Sequence, residues 1–121
     1  MQSLLLEGLD AYAARHCGPM PAVYEALREV TLAETDLPQM QVGPLVGRFL
    51  MLVSRLVGAR RALEIGTFTG YSSLSIAEGM PEGGQPITCD IDPHATGIAQ
   101  RFWDQAPWGH RITLRLGPAL D

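Results

Sequence analysis

Two cysteines among 121 residues, Cys17 and Cys89, are too few for a disulfide framework and match no metal-ligand spacing. The reading that follows is two reduced thiols in a cytoplasmic protein. Basic residues are also scarce, nine Lys and Arg against 13 Asp and Glu, for a formal charge of −4. That balance argues against a nucleic-acid partner, which would want a basic face. No apolar run approaches the ~20 residues that span a bilayer, so no membrane partner is expected. Leu4-Leu5-Leu6 runs straight into Glu7 and Asp10, too short and too polar for a signal core. His16, His94 and His110 have no carboxylate or cysteine at ligand spacing and read as surface histidines. There are no repeats and no low-complexity stretches. With 46% hydrophobic and 18% charged residues, the chain reads as one soluble domain or part of one.

The residues fall into two organisational blocks, a helical segment over 1–58 and an α/β segment over 59–121. Apolar residues at Leu5, Leu6, Leu9, Tyr12 and Ala13 predict a helix over 3–17, stopped by Gly18-Pro19. Pro21 suits the first turn of a second helix ending near Glu34, and 36–41 reads as a loop. A third helix is expected from Pro44 to Gly58. Its Leu45, Val46, Phe49, Leu50, Leu52, Val53, Leu56 and Val57 cover most of the circumference, which predicts burial on more than one side. The period then changes. Residues 62–65 predict a central parallel strand, 71–78 a helix and 87–91 a second strand. Asp92 can cap a helix opened by Pro93 and running to about Gln105. Residues 111–116 alternate like a strand with one solvated face, as at a sheet edge.

The chemistry concentrates in Leu63-Glu64-Ile65-Gly66-Thr67-Phe68-Thr69-Gly70-Tyr71-Ser72-Ser73, followed by Cys89-Asp90-Ile91-Asp92-Pro93. A strand ends in a carboxylate and a glycine-rich turn, the turn opens a helix, and the next strand ends in a second carboxylate. This is the layout of a nucleotide-type ligand across the carboxyl ends of two parallel strands. Gly66 and Gly70 admit close backbone approach, and the amides around Tyr71 and Ser72 can bind an anion with help from the helix dipole. A dinucleotide fingerprint requires G-x-G-x-x-G. Here Phe68 and Tyr71 occupy its second and third glycine positions. A smaller anion such as an amino-acid carboxylate fits better than a pyrophosphate. Glu64 suits a cationic group such as an ammonium, and Asp90 is placed for a ribose diol. An amino acid, a ribose and an adenine describe S-adenosylmethionine.

Four blocks also carry a family resemblance: Met40-Gln41-Val42-Gly43-Pro44, the glycine turn from Leu63 to Ser72, Cys89 to Pro93, and Leu114-Arg115-Leu116-Gly117-Pro118-Ala119. In this order and spacing they resemble the caffeoyl-CoA and catechol O-methyltransferase family, from about residue 20 onward. The resemblance implies a Rossmann-like class I methyltransferase fold, with three N-terminal helices, then β-α-β-α-β, and an incomplete sheet. It implies methyl transfer from S-adenosylmethionine to a catechol-like, phenolic small-molecule acceptor. Carried over by position, Val42 lies over the methionine end of the cofactor, and Glu64, Gly66, Tyr71 and Ser72 surround its amino-acid moiety. Asp90 holds the ribose, Ile91 and Ala119 flank the adenine, and Met40 lies near the methyl group and acceptor. Trp103 falls near the adenine side of the family pattern.

Leu45-Val46-Gly47 stands where the family often continues with Glu-Gln-Gly, a more apolar start to the third helix. The resemblance further implies a divalent, magnesium-like cation, held by two aspartates and an asparagine after the third strand, and a catalytic lysine in the same region. Those segments have no counterpart in the 121 residues, so no catalytic residue and no metal ligand is assigned. The chain is expected to be the amino-terminal half of such a domain, binding cofactor weakly and inactive alone. The edge of 62–65, left unpaired, points to a homo-oligomer. A non-catalytic folded module and a nicotinamide-dinucleotide enzyme are the alternative readings, the latter disfavoured by Phe68 and Tyr71.

Overall fold

The structure, a computed structural model, describes residues 6–121. The start expected for the first helix, at residues 3–5, lies outside the described residues. Helix α1 covers Leu9–Arg15 and is flanked by Gly8 in the left-handed conformation (φ 85°). Helix α2 is Ala22–Glu34, a 3-10 turn covers Pro38–Met40, and α3 is Gly43–Leu56. Strand β1 (Arg61–Ile65), α4 (Tyr71–Gly79), β2 (Gln85–Asp90), α5 (Pro93–Trp103) and β3 (Thr113–Leu116) complete the order. Asp92 caps α5 as expected, its carboxylate accepting from the amides of His94 and Ala95.

The three strands are parallel in the order β1-β2-β3, with Leu63 beside Ile87 and Ile87 beside Thr113. Right-handed crossovers marching in one direction put both connecting helices on one face. The buried core lies entirely on that side. Leu27 of α2, Leu74 of α4, and Ala99, Phe102 and Trp103 of α5 gather there over Ile112. Trp103 is fully buried, and its indole N–H donates to the Gly70 carbonyl at 3.1 Å. It is therefore a core residue and not an adenine-side contact. The opposite sheet face is bare, with Leu63 70% and Ile65 71% exposed. The apolar strand at 62–65 is an edge among the described residues.

Two expectations need correction. Arg111 sits in a 3-10 turn, Gly109–Arg111, instead of on β3, and its guanidinium donates to the Met80 carbonyl. The turn forms there because Gly109 is pressed against the Trp103 carbonyl, 1.9 Å from where a Cβ would lie. Helix α3 is not buried on several sides. Only Gly47 and Ser54 are buried on it, while Phe49, Leu56 and Val57 are largely exposed. Its small residues let it approach α4 closely and turn the branched ones outward. A Cβ on Gly47 would come within 2.7 Å of the Tyr71 ring, and one on Gly79 within 2.1 Å of the Met51 carbonyl oxygen.

A half-buried ion pair closes the helical layer. The Arg48 guanidinium of α3 donates two hydrogen bonds to the Glu78 carboxylate of α4, which also accepts from the Tyr24 hydroxyl of α2 at 2.6 Å. Such a pair stabilises little in net terms, but losing one partner leaves a half-buried charge short of its main hydrogen bonds. Burial first, then the bond to Glu78, raises the Tyr24 hydroxyl far above its ordinary pKa.

Two glycines should respond in opposite directions. Gly79→Ala is expected to lower stability by about 1–3 kcal/mol, because its methyl group must force α3 from α4. Gly97→Ala, in open space within α5, should raise stability by roughly 0.5–1 kcal/mol. Urea midpoints of the two variants measure this, and a stabilised Gly79→Ala would contradict the close approach.

Candidate methyl-donor site

At the carboxyl ends of β1 and β2 lies a cleft of about 160 Å³. Its walls are Met40, Gln41 and Val42 from the loop before α3, the whole turn from Gly66 to Ser72, and Asp90. The turn bends through three left-handed residues, Gly66 (φ 96°), Phe68 (φ 51°) and Gly70 (φ 83°). Left-handed backbone costs a non-glycine residue about 1–2 kcal/mol, and Phe68 bears that cost. Gly70 has no alternative, since a Cβ there would lie 2.6 Å from the Trp103 indole nitrogen. At Gly66 a Cβ would meet nothing within 4 Å, so the backbone is open to a ligand.

Asp90 fastens this turn. Its Oδ2 accepts from the Thr67 and Phe68 amides, both at 2.8 Å, and its Oδ1 from the Ile91 and Asp92 amides at 2.7 and 3.0 Å. Burial pushes the carboxyl pKa upward, but these four backbone donors outweigh it and hold the group below the usual aspartate range. Gly70 is the N-cap of α4 and supplies no side-chain cap, so the first-turn amides face the cleft without a side-chain partner. Tyr71 contributes backbone here. Its ring is buried against Tyr24, with centroids 4.9 Å apart, and burial raises its hydroxyl pKa to about 12. The hydroxyl therefore stays protonated at neutral pH and is no base.

The structure brings together Met40, Val42, Gly66, Tyr71, Ser72 and Asp90, six of the residues expected at a site. Glu64, Ile91 and Ala119 do not line the cleft. Glu64 turns beneath the turn, where its Oε1 accepts from Ser73 and Thr88. Thr88 spends its only proton on Glu64, so Thr67 donates to Thr88 across 2.6 Å. This hydroxyl chain pins the first turn of α4 to both strands. Ile91 is 72% exposed just beyond β2, and Ala119 lies exposed beyond β3. A second hollow of about 460 Å³ adjoins the cleft across Met40, Phe68 and Asp90, and is also walled by Leu37, Asp92 and His94.

Comparison with known proteins decides the family. The profile of the O-methyltransferase family matches residues 15–121. The chain belongs to the O-methyltransferase family. It is 35% identical to a catechol O-methyltransferase of Niastella koreensis, over all of this chain and 54% of that protein. It is 36% identical to caffeoyl-CoA O-methyltransferase 2 of Zea mays, over 83% of this chain and 38% of that protein. Its fold matches the O-methyltransferase from Bacillus cereus in complex with SAH, with a TM-score of 0.86 and 34% identity, over 94% of this chain and 51% of that one. The chain thus spans about half the length of those relatives, or less.

Among the described residues, no group of three His, Cys, Asp or Glu could hold a metal ion. The three histidines bond backbone carbonyls, His16 to Tyr12, His94 to Glu34 and His110 to Pro107. Also among the described residues, no helix is long and apolar enough to cross a membrane. Sequence reasoning missed Gln41, Thr67 and Thr69 as cleft residues. The polar threonines flanking Phe68 were the available signal, since polar side chains in a buried turn need partners.

The lowered pKa of Asp90 has a signed consequence. A depressed carboxylate contributes stability above its unfolded pKa of about 3.9 and loses it as pH falls through the lower folded value. Asp90→Asn should therefore be less stable than wild type at pH 7, with the gap narrowing below pH 4. Thermal midpoints across pH 2.5–7 test this, and a constant gap would show that the carboxylate charge is irrelevant.

Proposed function

We propose that this chain forms the methyl-donor half of an S-adenosylmethionine-dependent O-methyltransferase site acting on a phenolic or catechol acceptor. One observation carries the reading: the uncapped start of α4, the open backbone at Gly66 and Asp90 line the same cleft. The donor's carboxylate meets the Tyr71 and Ser72 amides, and its methionine chain passes under Val42 along Gly66. The ribose diol meets the solvent-facing Oδ1 edge of Asp90, while Oδ2 keeps its hold on the turn. Ile91 and Ala119 bound the adenine. Glu64 serves the ammonium end from behind, through Ser73. The first cleft alone is below the roughly 300–1,000 Å³ typical of small-molecule sites, and the adjoining hollow extends it. A deprotonated phenolic oxygen attacks the methyl carbon, the C–S bond breaks, and sulfur keeps the electron pair as a neutral thioether.

The divalent cation implied by the resemblance would supply acidification and orientation of the acceptor's oxygens. The described residues do not fit it, so no step is built on it here. The chain alone is accordingly proposed to bind donor without turnover. Calorimetry should show binding of S-adenosylmethionine and none of NAD, since the Tyr71 side chain fills the third glycine position of a dinucleotide turn. Tighter binding of NAD would replace this reading with the dinucleotide one. Methylation of catechol with magnesium by this chain alone would overturn the proposed inactivity.

The reading extends to a cytoplasmic protein that pairs with a second copy of itself. Gly66 donates to Cys89 and Gln85 to Arg60, so backbone groups of even-numbered β1 residues face β2. Those of Leu63 and Ile65 therefore point outward along the free edge. An antiparallel pair of β1 strands centred on Leu63 is self-complementary about a two-fold axis. The exposed Leu56 and Val57 at the end of α3 add apolar surface nearby. Sedimentation velocity at micromolar concentration should show a dimer that Leu63→Lys dissociates. A monodisperse wild-type monomer would refute the pairing.

A further inference from the structure

The loop joining α2 to α3 carries Met40 and Val42 to the cleft, and the side chain between them ties it to the rest of the molecule. Gln41 Nε2 donates to Thr31 Oγ1 at 3.0 Å and to Thr69 Oγ1 at 3.3 Å. Thr31 belongs to α2 and Thr69 to the glycine turn, and they are 1% and 0% exposed. The two hydroxyls lie 2.9 Å apart, and Thr31 also reaches the Leu27 carbonyl at 2.8 Å. One arrangement of protons satisfies every group. Thr31 gives its single proton to Leu27, Thr69 gives its own to Thr31, and the two amide protons of Gln41 go one to each hydroxyl. With the amide in this orientation both hydroxyls receive a proton from Gln41. The side chain is thereby tied to both α2 and the glycine turn.

We infer that Gln41 is a positioning residue for the methyl donor. It couples the covering loop to the glycine turn, so that Met40 and Val42 close on the donor's methionine and sulfonium end in register with Gly66. This rests on the donor-binding reading above. Thr31 contributes without touching ligand, because it does not line the donor cleft. The coupling concerns the methionine end, whereas Asp90 and the ribose end are fastened independently by backbone amides.

The test uses Gln41→Leu, Thr31→Val and the double variant, titrated calorimetrically with S-adenosylhomocysteine and with adenosine. Each single variant should weaken S-adenosylhomocysteine by about 5–10-fold, the scale of one net hydrogen bond. The double variant should be no weaker than either single one, and adenosine affinity should stay within about twofold of wild type. Additive losses, unchanged S-adenosylhomocysteine affinity in Gln41→Leu, or equal weakening of adenosine would each overturn the inference. Amide hydrogen exchange on the ligand-free protein keeps the two readings separable. Gln41→Leu should speed exchange over residues 36–42 and 67–70, and unchanged exchange refutes the coupling. Failure of wild type to bind S-adenosylhomocysteine would instead refute the donor reading, with exchange still deciding the coupling.

Discussion

The four hydrogen bonds of the Asp90 carboxylate are the fastening on which the rest of the site depends. A turn with three left-handed residues in five has little intrinsic reason to hold one shape, and Phe68 is there against its own preference. Asp90 binds two amides of that turn and two beyond its own strand, so the ends of β1 and β2 become one rigid unit. Glu64 performs the matching task beneath the turn, through hydroxyls. The two carboxylates that the sequence presents as a symmetrical pair therefore differ in role. One faces the cleft, and the other braces its floor.

The second organising constraint is one-sidedness. Two crossovers of the same hand leave all the helical packing on one face of a three-stranded sheet, and Leu63, Ile65 and the outer side of α3 remain exposed. An apolar edge strand with free backbone groups is a standing template for pairing. Helix α3 adds to this because Gly47 and Gly79 permit contact with α4 at backbone distance, spending its small residues on the interface.

Much of the site was legible before any fold was known. Gly66, Gly70, Tyr71, Ser72 and Asp90 are recognisable because the chemistry needs small residues, free amides and a strand-end carboxylate at short, nearly fixed spacing. Asp92 and Pro93 likewise declare a helix start by local hydrogen bonding alone. Other features were not legible. The apolar circumference of α3 signals burial by hydropathy, yet burial depends on which neighbours exist to cover it. Gln41 is assigned nothing from the sequence, since its partners stand ten and 28 residues away. Trp103 suggested a ligand by position in the family pattern, but its environment is the core.

What the sequence determined by itself is therefore local: the order of helices and strands, the strained turn, the uncapped amides that open α4 and the charge at the end of β2. These follow from backbone preference and hydrogen bonds between near neighbours. The tertiary structure alone decided that Tyr71 offers its amide and hides its ring, and that Glu64 lies behind the wall. It also decided that Gln41 joins two buried threonines and that the strongest apolar strand is an edge. Each of these depends on contacts between residues far apart in the chain, whose geometry no local spacing encodes.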